Sequence, residues 1–491
     1  MEQNDLEKIK LTKSQKKVLG QVLDFVDHPD DRVFILKGYA GTGKTTLMRF
    51  VIKELDERQR NYRLLASTGR AAKILANASG KSGCTSTIHS MVYTFNGLNK
   101  EYDEREEIVA DAQGQLFLVF EPAKLNEEND PESIYIIDEA SMVSDVATRD
   151  ITQARFGSGR LLKELLDYDQ RPASKFIFVG DPCQLPPIEE YYSPALMKDY
   201  FMSEFGMSAQ EAQLTEIMRQ DDDNDIVYAS KIIRGFYNQA PNNASYYGRQ
   251  KLWTKLPFRR CRNIKLHSSL DEMIDDYVDK FRTFGMNSVV CVCRRNKDCS
   301  ELSATIRERL GFPQGKVQKG DLLLVIQNNR PTGLMNGDMV TVVEWSQQCE
   351  TKARLTFRHV KVKELFTGKE YSTLLIEDTI NQSRLNLDAY QQQELFVDFI
   401  IRMKQKNITA KRTPDAFYDA MFNDPYLNAL RCVYGYAITC HKSQGGEWQE
   451  VYMHVPRNIC LNPTKETYQW IYTSMTRAQK TLHMLNDFFI E

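Results

Sequence analysis

The segment that most constrains this chain is Gly38–Thr46, GYAGTGKTT, which follows the apolar run Val33-Phe34-Ile35-Leu36 and opens the helical-looking stretch Thr45–Leu55. Glycines at 38, 41 and 43 let backbone N–H groups turn inward around phosphate oxygens, and the helix N-terminus adds its positive end. In a G-x-x-x-x-G-K-[ST] loop the lysine reaches the outer phosphates and the next hydroxyl holds Mg²⁺. Those residues are Lys44 and Thr45 here, with Thr46 beside them. Strand, loop and helix in this order predict a parallel sheet that binds a nucleoside triphosphate.

A second apolar strand, Ile134-Tyr135-Ile136-Ile137, ends in Asp138-Glu139. A P-loop enzyme needs a carboxylate at a nearby strand end to hold magnesium, and beside it a base or water-positioning group. Asp138 fits the first role and Glu139 the second, which favours hydrolysis by water over transfer to a small molecule. A third strand, Phe176-Ile177-Phe178-Val179, runs into Gly180-Asp181-Pro182-Cys183-Gln184-Leu185-Pro186-Pro187. The glycine and prolines stop the strand and stiffen the loop, so Gln184 stands at the sheet's carboxyl edge, where an amide can sense the terminal phosphate.

These three segments, in this order, resemble superfamily 1 DNA helicases, and further motifs extend the resemblance. Leu11-Thr12-Lys13-Ser14-Gln15 is similar to the family's adenine-reading segment, with Gln15 as the reader. Leu65–Ala72 and Thr85–His89 resemble two strand-end motifs that grip single-stranded DNA, which implies contacts from Thr68, Arg70, Thr87 and His89. Leu214–Gln220 resembles the segment whose arginine, here Arg219, touches the terminal phosphate. Ala437–Glu447 resembles the motif joining DNA to nucleotide, which implies Thr439, His441 and Ser443 at DNA and Glu447 at nucleotide. Tyr472–Ala478 resembles the motif that carries a second arginine finger, Arg477. The set TGRAA, STIH, GDPxQLPP, HKSQG and TRA is nearest the 5′→3′ branch of RecD and the phage Dda helicase. Read singly, Thr68 and Arg70 also fit a helix cap, His89 a satisfied buried histidine, and His441-Lys442 a solvated strand end.

What the resemblance implies is an α/β protein with two RecA-like parallel-sheet motor lobes that clamp ATP and Mg²⁺ between them. An inserted β-hairpin subdomain is expected in the first lobe and a small β-barrel-like subdomain, with helical additions, in the second. The first lobe is expected at 1–90 and 133–250, and its insertion at 91–132. That insertion contains Glu107–Ala110, a turn at Asp111–Gly114 and the strand Gln115–Phe120, a hairpin that in related helicases forms a pin against the duplex; the alternative is a hairpin that packs on its parent lobe, since apolar strands are usually buried. The second lobe is expected at 251–335 and 432–491, with Leu322–Ile326 as one of its strands and 336–431 as its insertion.

Lysine plus arginine total 64 against 66 aspartate plus glutamate, which argues against a simple DNA-coating protein but leaves room for a locally positive channel. A chain of 491 residues allows about three to four domains. The ten cysteines contain no C-x-x-C pair, so no zinc site is expected from them, and they read as reduced thiols of a cytosolic protein. With a polar, acidic start and no membrane-length apolar run, the expected location is cytoplasmic, at the nucleoid. Expected partners are single-stranded DNA, single-strand/duplex junctions, and recombination or replication proteins; no membrane is involved. The alternative is a DNA-stimulated ATPase subunit of a recombination or nuclease complex with little unwinding of its own. A GTPase is disfavoured because no N-K-x-D string is present.

Overall fold

The computed structural model describes residues 9–99, 117–126, 130–147, 154–216, 224–313, 315–380 and 386–491. One sheet has six strands: β1 (Val33–Gly38), β2 (Tyr62–Ala66), β3 (Thr85–Thr87), β6 (Ile134–Asp138), β8 (Lys175–Gly180) and β9 (Ala209–Leu214). They run β3-β2-β6-β8-β1-β9, and every pairing is parallel. Strands covered on both faces read as unbroken apolar runs, as VFIL, IYII and FIFV do. Successive side chains point to opposite faces. Phe34, Leu36 and Ile136 therefore pack on Val22, Phe25, Leu47 and Val51 of the helices Lys13–Asp27 and Lys44–Glu57. Ile35, Ile137 and Phe178 pack on the other side against Leu162, Leu165 and Phe201.

A second parallel sheet has five strands: β10 (Ile264–His267), β11 (Val289–Cys293), β17 (Ala437–Thr439), β18 (Trp448–Met453) and β19 (Ala478–Leu485), in the order β10-β19-β18-β11-β17. The helix Asp225–Gln239, which falls within the range expected for the first lobe, instead puts Ile226, Ala229 and Ile233 into the core of this second sheet. Its amphipathic period signals a buried face without specifying which sheet receives it.

The third sheet is antiparallel: β12 (Leu322–Val325), β13 (Met339–Lys352), β14 (Leu355–Glu364), β15 (Glu370–Ile376) and β16 (Cys432–Tyr434), in the order β15-β14-β13-β12-β16. Two expectations are corrected here. Leu322–Val325 is a strand of this inserted sheet, not of the second parallel sheet, and Cys432–Tyr434 lies in it as well. A parallel bridge between Leu375 and Leu430 joins β15 to the residues entering β16. The helices Ala389–Gln405 and Pro414–Asn423 complete the insertion. The second helix stops at Asn423, because Asp424 precedes Pro425 and so is turned extended.

In the first-lobe insertion, residues 100–116 lie outside the described residues, and with them Glu107–Ala110, Asp111–Gly114 and the start of Gln115–Phe120. What is described of that strand, β5 (Leu118–Pro122), pairs antiparallel with β4 (Tyr93–Leu98) and parallel with β7 (Ala154–Phe156). Phe95, Leu98 and Leu118 then share one core with Phe396, Phe399, Phe417 and Met421 of the second-lobe insertion. The two insertions are thus packed on one another. No helix among the described residues is long and apolar enough to cross a membrane.

Candidate nucleotide site between the two parallel sheets

The loop after β1 turns through left-handed backbone at Gly41 and Gly43, both at φ 77°, a conformation that a side chain resists. A Cβ at Gly38 would stand 2.7 Å from Lys44 Cγ, so that position must stay bare for the lysine to fold over the loop. Lys44 Nζ donates to the carbonyls of Gly38 at 2.7 Å and Tyr39 at 3.3 Å. Gln15 is buried and engaged at both ends of its amide. Its Oε1 accepts from Thr12 N at 3.1 Å in a capping box, and its Nε2 donates to Thr42 O at 3.3 Å. It braces the P-loop, and reading an adenine edge requires exchange of the bond to Thr42.

Asp138 ends β6, and its Oδ1 accepts from Glu139 N at 2.9 Å. Glu139 sits at φ 50°, a left-handed backbone unusual for glutamate and of the kind that collects at functional sites. Burial pushes both carboxyls up. For Asp138 the Glu139 N–H and then Lys44 work against that rise; for Glu139 the Asp138 charge adds to it, while Arg477 and Lys44 oppose it. A cavity of about 600 Å³ is lined by Thr45, Asp138 and Glu139 from the first sheet and by Glu447, Trp448 and Arg477 from the second. Thr45 hydroxyl and Asp138 carboxylate thus face one space, and hard oxygen donors of this kind suit Mg²⁺. Arg477 is 4% exposed and held by the carbonyls of Thr473 at 3.0 Å and Gly446 at 3.3 Å. Arg219 lies outside the described residues.

The loop carrying Gln184 is bonded across the seam. Gln184 Oε1 is buried and has no hydrogen-bond partner among the described residues, while the Gln184 backbone carbonyl accepts from Gln469 Nε2 at 3.2 Å. Leu185 N donates to Thr473 Oγ1 at 2.9 Å, and Leu185 O accepts from Gln444 Nε2 at 3.2 Å. The Tyr472 hydroxyl donates to Asp181 Oδ2 at 2.8 Å and accepts from Ala40 N, inside the P-loop, at 3.0 Å. The Arg234 guanidinium lies 3.8 Å over the Tyr39 ring. These seam contacts were missed in the sequence. Tyr39, Asp181, Leu185, Gln444, Tyr472 and Thr473 lie inside the motifs read from the sequence, whereas Arg234 and Gln469 lie outside them.

The residues expected at DNA are scattered more than the motifs imply. Thr68 and Thr87 cap helices, accepting from Ala71 N at 3.2 Å and Ser90 N at 3.1 Å. His89 is half-buried between Tyr93 and Phe156, and burial lowers its pKa. Arg70 stacks over Trp448 at 4.9 Å and lines the inter-lobe cavity, so it groups with Asp138 and Glu139 rather than with the two threonines. One of its terminal nitrogens, Nη1, is buried without a partner among the described residues. Thr439 ends β17, and His441 lines a separate cavity with Pro186 and Glu466. Ser443 is a correction: it is 0% exposed and its Oγ donates to Cys440 O at 2.7 Å, so its hydroxyl is spent inside one helical turn.

Residues 10–249 match a family model described as an AAA domain, and residues 434–485 match one described as a UvrD-like helicase C-terminal domain. An uncharacterised protein of Acanthamoeba polyphaga mimivirus is 23% identical, with 95% of this chain and 98% of that protein covered. The ATP-dependent RecD2 DNA helicase of Deinococcus radiodurans is 25% identical over 45% of this chain and 23% of its own length. A crystal structure of Pif1 helicase from Bacteroides with ADP-AlF3 and ssDNA aligns over 98% of this chain and 94% of that one, at 16% identity and TM-score 0.49. The two matched regions carry the P-loop and Arg477, the two walls of a single cavity, so the chain is similar to an AAA domain on one side of that cavity and to a UvrD-like helicase C-terminal domain on the other.

Proposed function

We propose that this protein translocates 5′→3′ along single-stranded DNA and separates duplex ahead of it, using Mg²⁺ and ATP in the inter-lobe cavity. The observation that carries the reading is that Thr45, Asp138 and Glu139 from one parallel sheet face Arg477 from the other across that cavity. When bound, Mg²⁺ supplies charge neutralisation between the phosphates, and Thr45 and Asp138 would hold it. Lys44 binds the outer phosphates, Glu139 orients the attacking water and takes its proton, and Gln184 reports the terminal phosphate by donating to it from its side-chain amide nitrogen. Arg477, joined by Arg219 as its motif implies, neutralises charge in the transition state, a role worth about 10³–10⁵ in rate.

An anion held between Lys44 and Arg477 draws the lobes together, and its loss lets them part. Single-stranded DNA lies across both lobes, held by its phosphates, with Thr68, Thr87, His89, Thr439 and His441 at the strand ends that face it. The direction rests on the RecD-like motif set, and the D. radiodurans relative, named as an ATP-dependent DNA helicase, supports the activity. The first-lobe insertion is the element proposed to meet the fork.

The deciding experiment is strand separation on duplexes with only a 5′ or only a 3′ single-stranded tail. Unwinding of the 5′-tailed duplex alone is expected. Unwinding from the 3′ tail overturns the direction. DNA-stimulated hydrolysis without strand separation would make the chain a motor subunit of a larger assembly.

A further inference from the structure

The second parallel sheet holds a buried polar cluster that the nucleotide cycle does not use, and none of its members lines the inter-lobe cavity. His267 ends β10, the edge strand; His483 lies on β19 beside it; Asp276 comes from the helix Leu270–Phe284 that covers them. Both histidines are at most 1% exposed. His267 Nε2 is 3.1 Å from His483 Nδ1, His483 Nδ1 is 3.1 Å from Asp276 Oδ2, and His267 Nε2 is 3.9 Å from the same oxygen.

Those separations are the edges of a coordination face. Ligand atoms about 2.0–2.1 Å from a tetrahedral zinc stand roughly 3.3 Å from one another. The hydrogen-bonding around the triangle also prepares it. His483 Nε2 stands 2.7 Å from Glu450 Oε2. Donating that N–H to the carboxylate fixes the tautomer whose Nδ1 lone pair points into the triangle, the carboxylate–histidine arrangement that supports metal-bound imidazoles. Asp276 is braced as a carboxylate by the Tyr452 hydroxyl at 2.6 Å and by Lys265 at 2.5 Å. His267 Nδ1 is buried with no hydrogen-bond partner among the described residues, and Glu272 Oε1 is 3.7 Å away. A metal on Nε2 sets that nitrogen as the N–H, and a small ring rotation brings it to Glu272.

We propose that His267, Asp276 and His483 form a structural site for a divalent transition metal of the zinc type, which clips edge strand β10 and its covering helix to the rest of the second sheet. Two imidazoles and one carboxylate suit zinc better than magnesium or calcium, which favour all-oxygen shells. No local spacing announces the site, since the ligands come from three elements, and the cysteine pattern bears on a different kind of zinc centre.

The test uses the full-length protein, freed of metal with a chelator and titrated with Zn²⁺ against a chromophoric competitor. Thermal unfolding is followed in parallel without nucleotide. The expected result is one zinc per chain, a raised unfolding midpoint on zinc addition, and loss of both effects in His267→Gln and in Asp276→Asn, which keeps the shape of the carboxylate. X-ray absorption at the zinc edge should show nitrogen and oxygen neighbours only. Absence of stoichiometric binding overturns the proposal. So does binding unchanged in both variants, or a sulfur neighbour, either of which assigns the zinc to cysteines elsewhere. Should one variant fail to fold, the other and the absorption spectrum still decide.

Discussion

Lys44 donates to two neutral carbonyls of its own loop, and a phosphate oxygen offers it a charged acceptor instead, a bond roughly twice as strong. Lys44→Ala should therefore abolish ATP hydrolysis while single-stranded DNA binding persists, which a paired ATPase and filter-binding assay will show. Glu139→Gln keeps the shape and the left-handed backbone but cannot take a proton. It should bind ATP normally and turn over about 10²–10⁴ times more slowly, the usual worth of a positioned base; hydrolysis at the parent rate would remove Glu139 from the mechanism. A further residue-scale prediction concerns Lys442, whose Nζ is buried without a partner among the described residues and whose pKa burial pushes down from 10.5 to about 8. As pH falls through 10.5 the unfolded chain takes up this proton, while the fold refuses it until about 8. Stability at this position is thus greatest above the upper value and is lost on the way down to the lower one. Denaturant titrations should show the wild type gaining about 2 kcal/mol on Lys442→Met between about pH 8 and pH 10; a constant gap would mean the amine is solvated.

At the scale of elements, the nucleotide-binding strands were legible because a strand buried on both faces has to be apolar throughout, and a P-loop dictates a helix directly after it. The same property hid β12: a run such as Leu322-Leu323-Leu324-Val325 reads alike in a parallel or an antiparallel sheet. What places β12 is a buried ion pair that no local pattern announces. Arg307, on the helix Asn296–Leu310, meets Asp321 through Nε at 2.7 Å and Nη2 at 2.8 Å, and Tyr436 donates its hydroxyl to the same carboxylate at 3.0 Å. Ser443 and Gln444 show the same limit within one motif. HKSQG marks a functional turn, yet only the packed structure turns the serine into the core and the glutamine onto Leu185. Asp321→Ala leaves the Arg307 charge buried and uncompensated, a change worth about 3–5 kcal/mol. Chemical denaturation should register a loss of that size, and an effect below about 1 kcal/mol would show the pair to be solvated in solution.

For the molecule as a whole, opening the lobes has to break the seam bonds of Tyr472, Thr473, Gln444 and Gln469, while the two insertions are held by a separate core. Tyr472→Phe removes only the hydroxyl that links Asp181 to Ala40. It should leave the fold intact and weaken the stimulation of ATPase by single-stranded DNA several-fold; unchanged stimulation would place the coupling elsewhere. The insertion core makes a different demand. Parting one base pair costs about 1.4 kcal/mol of stacking, so an element pressed into the fork must be anchored by more than that. Phe95 meets Tyr418 and Phe422 edge-on at 5.3 and 4.9 Å, and Leu98 is buried with Phe399 and Phe417, which are 0% and 1% exposed. Truncating one such ring to alanine costs about 3–5 kcal/mol, ample for the anchor. Phe417→Asp puts a charge into this core and should undock the second-lobe helices from β4 and β5 without touching the inter-lobe cavity. ATPase stimulated by single-stranded DNA should then stay within about twofold of the parent, and duplex separation should fall by about tenfold or more, because the first-lobe insertion no longer has a backing to push against. Loss of both activities together would mean that this core supports the motor itself. Unwinding at the parent rate would mean that the fork is met by some other surface.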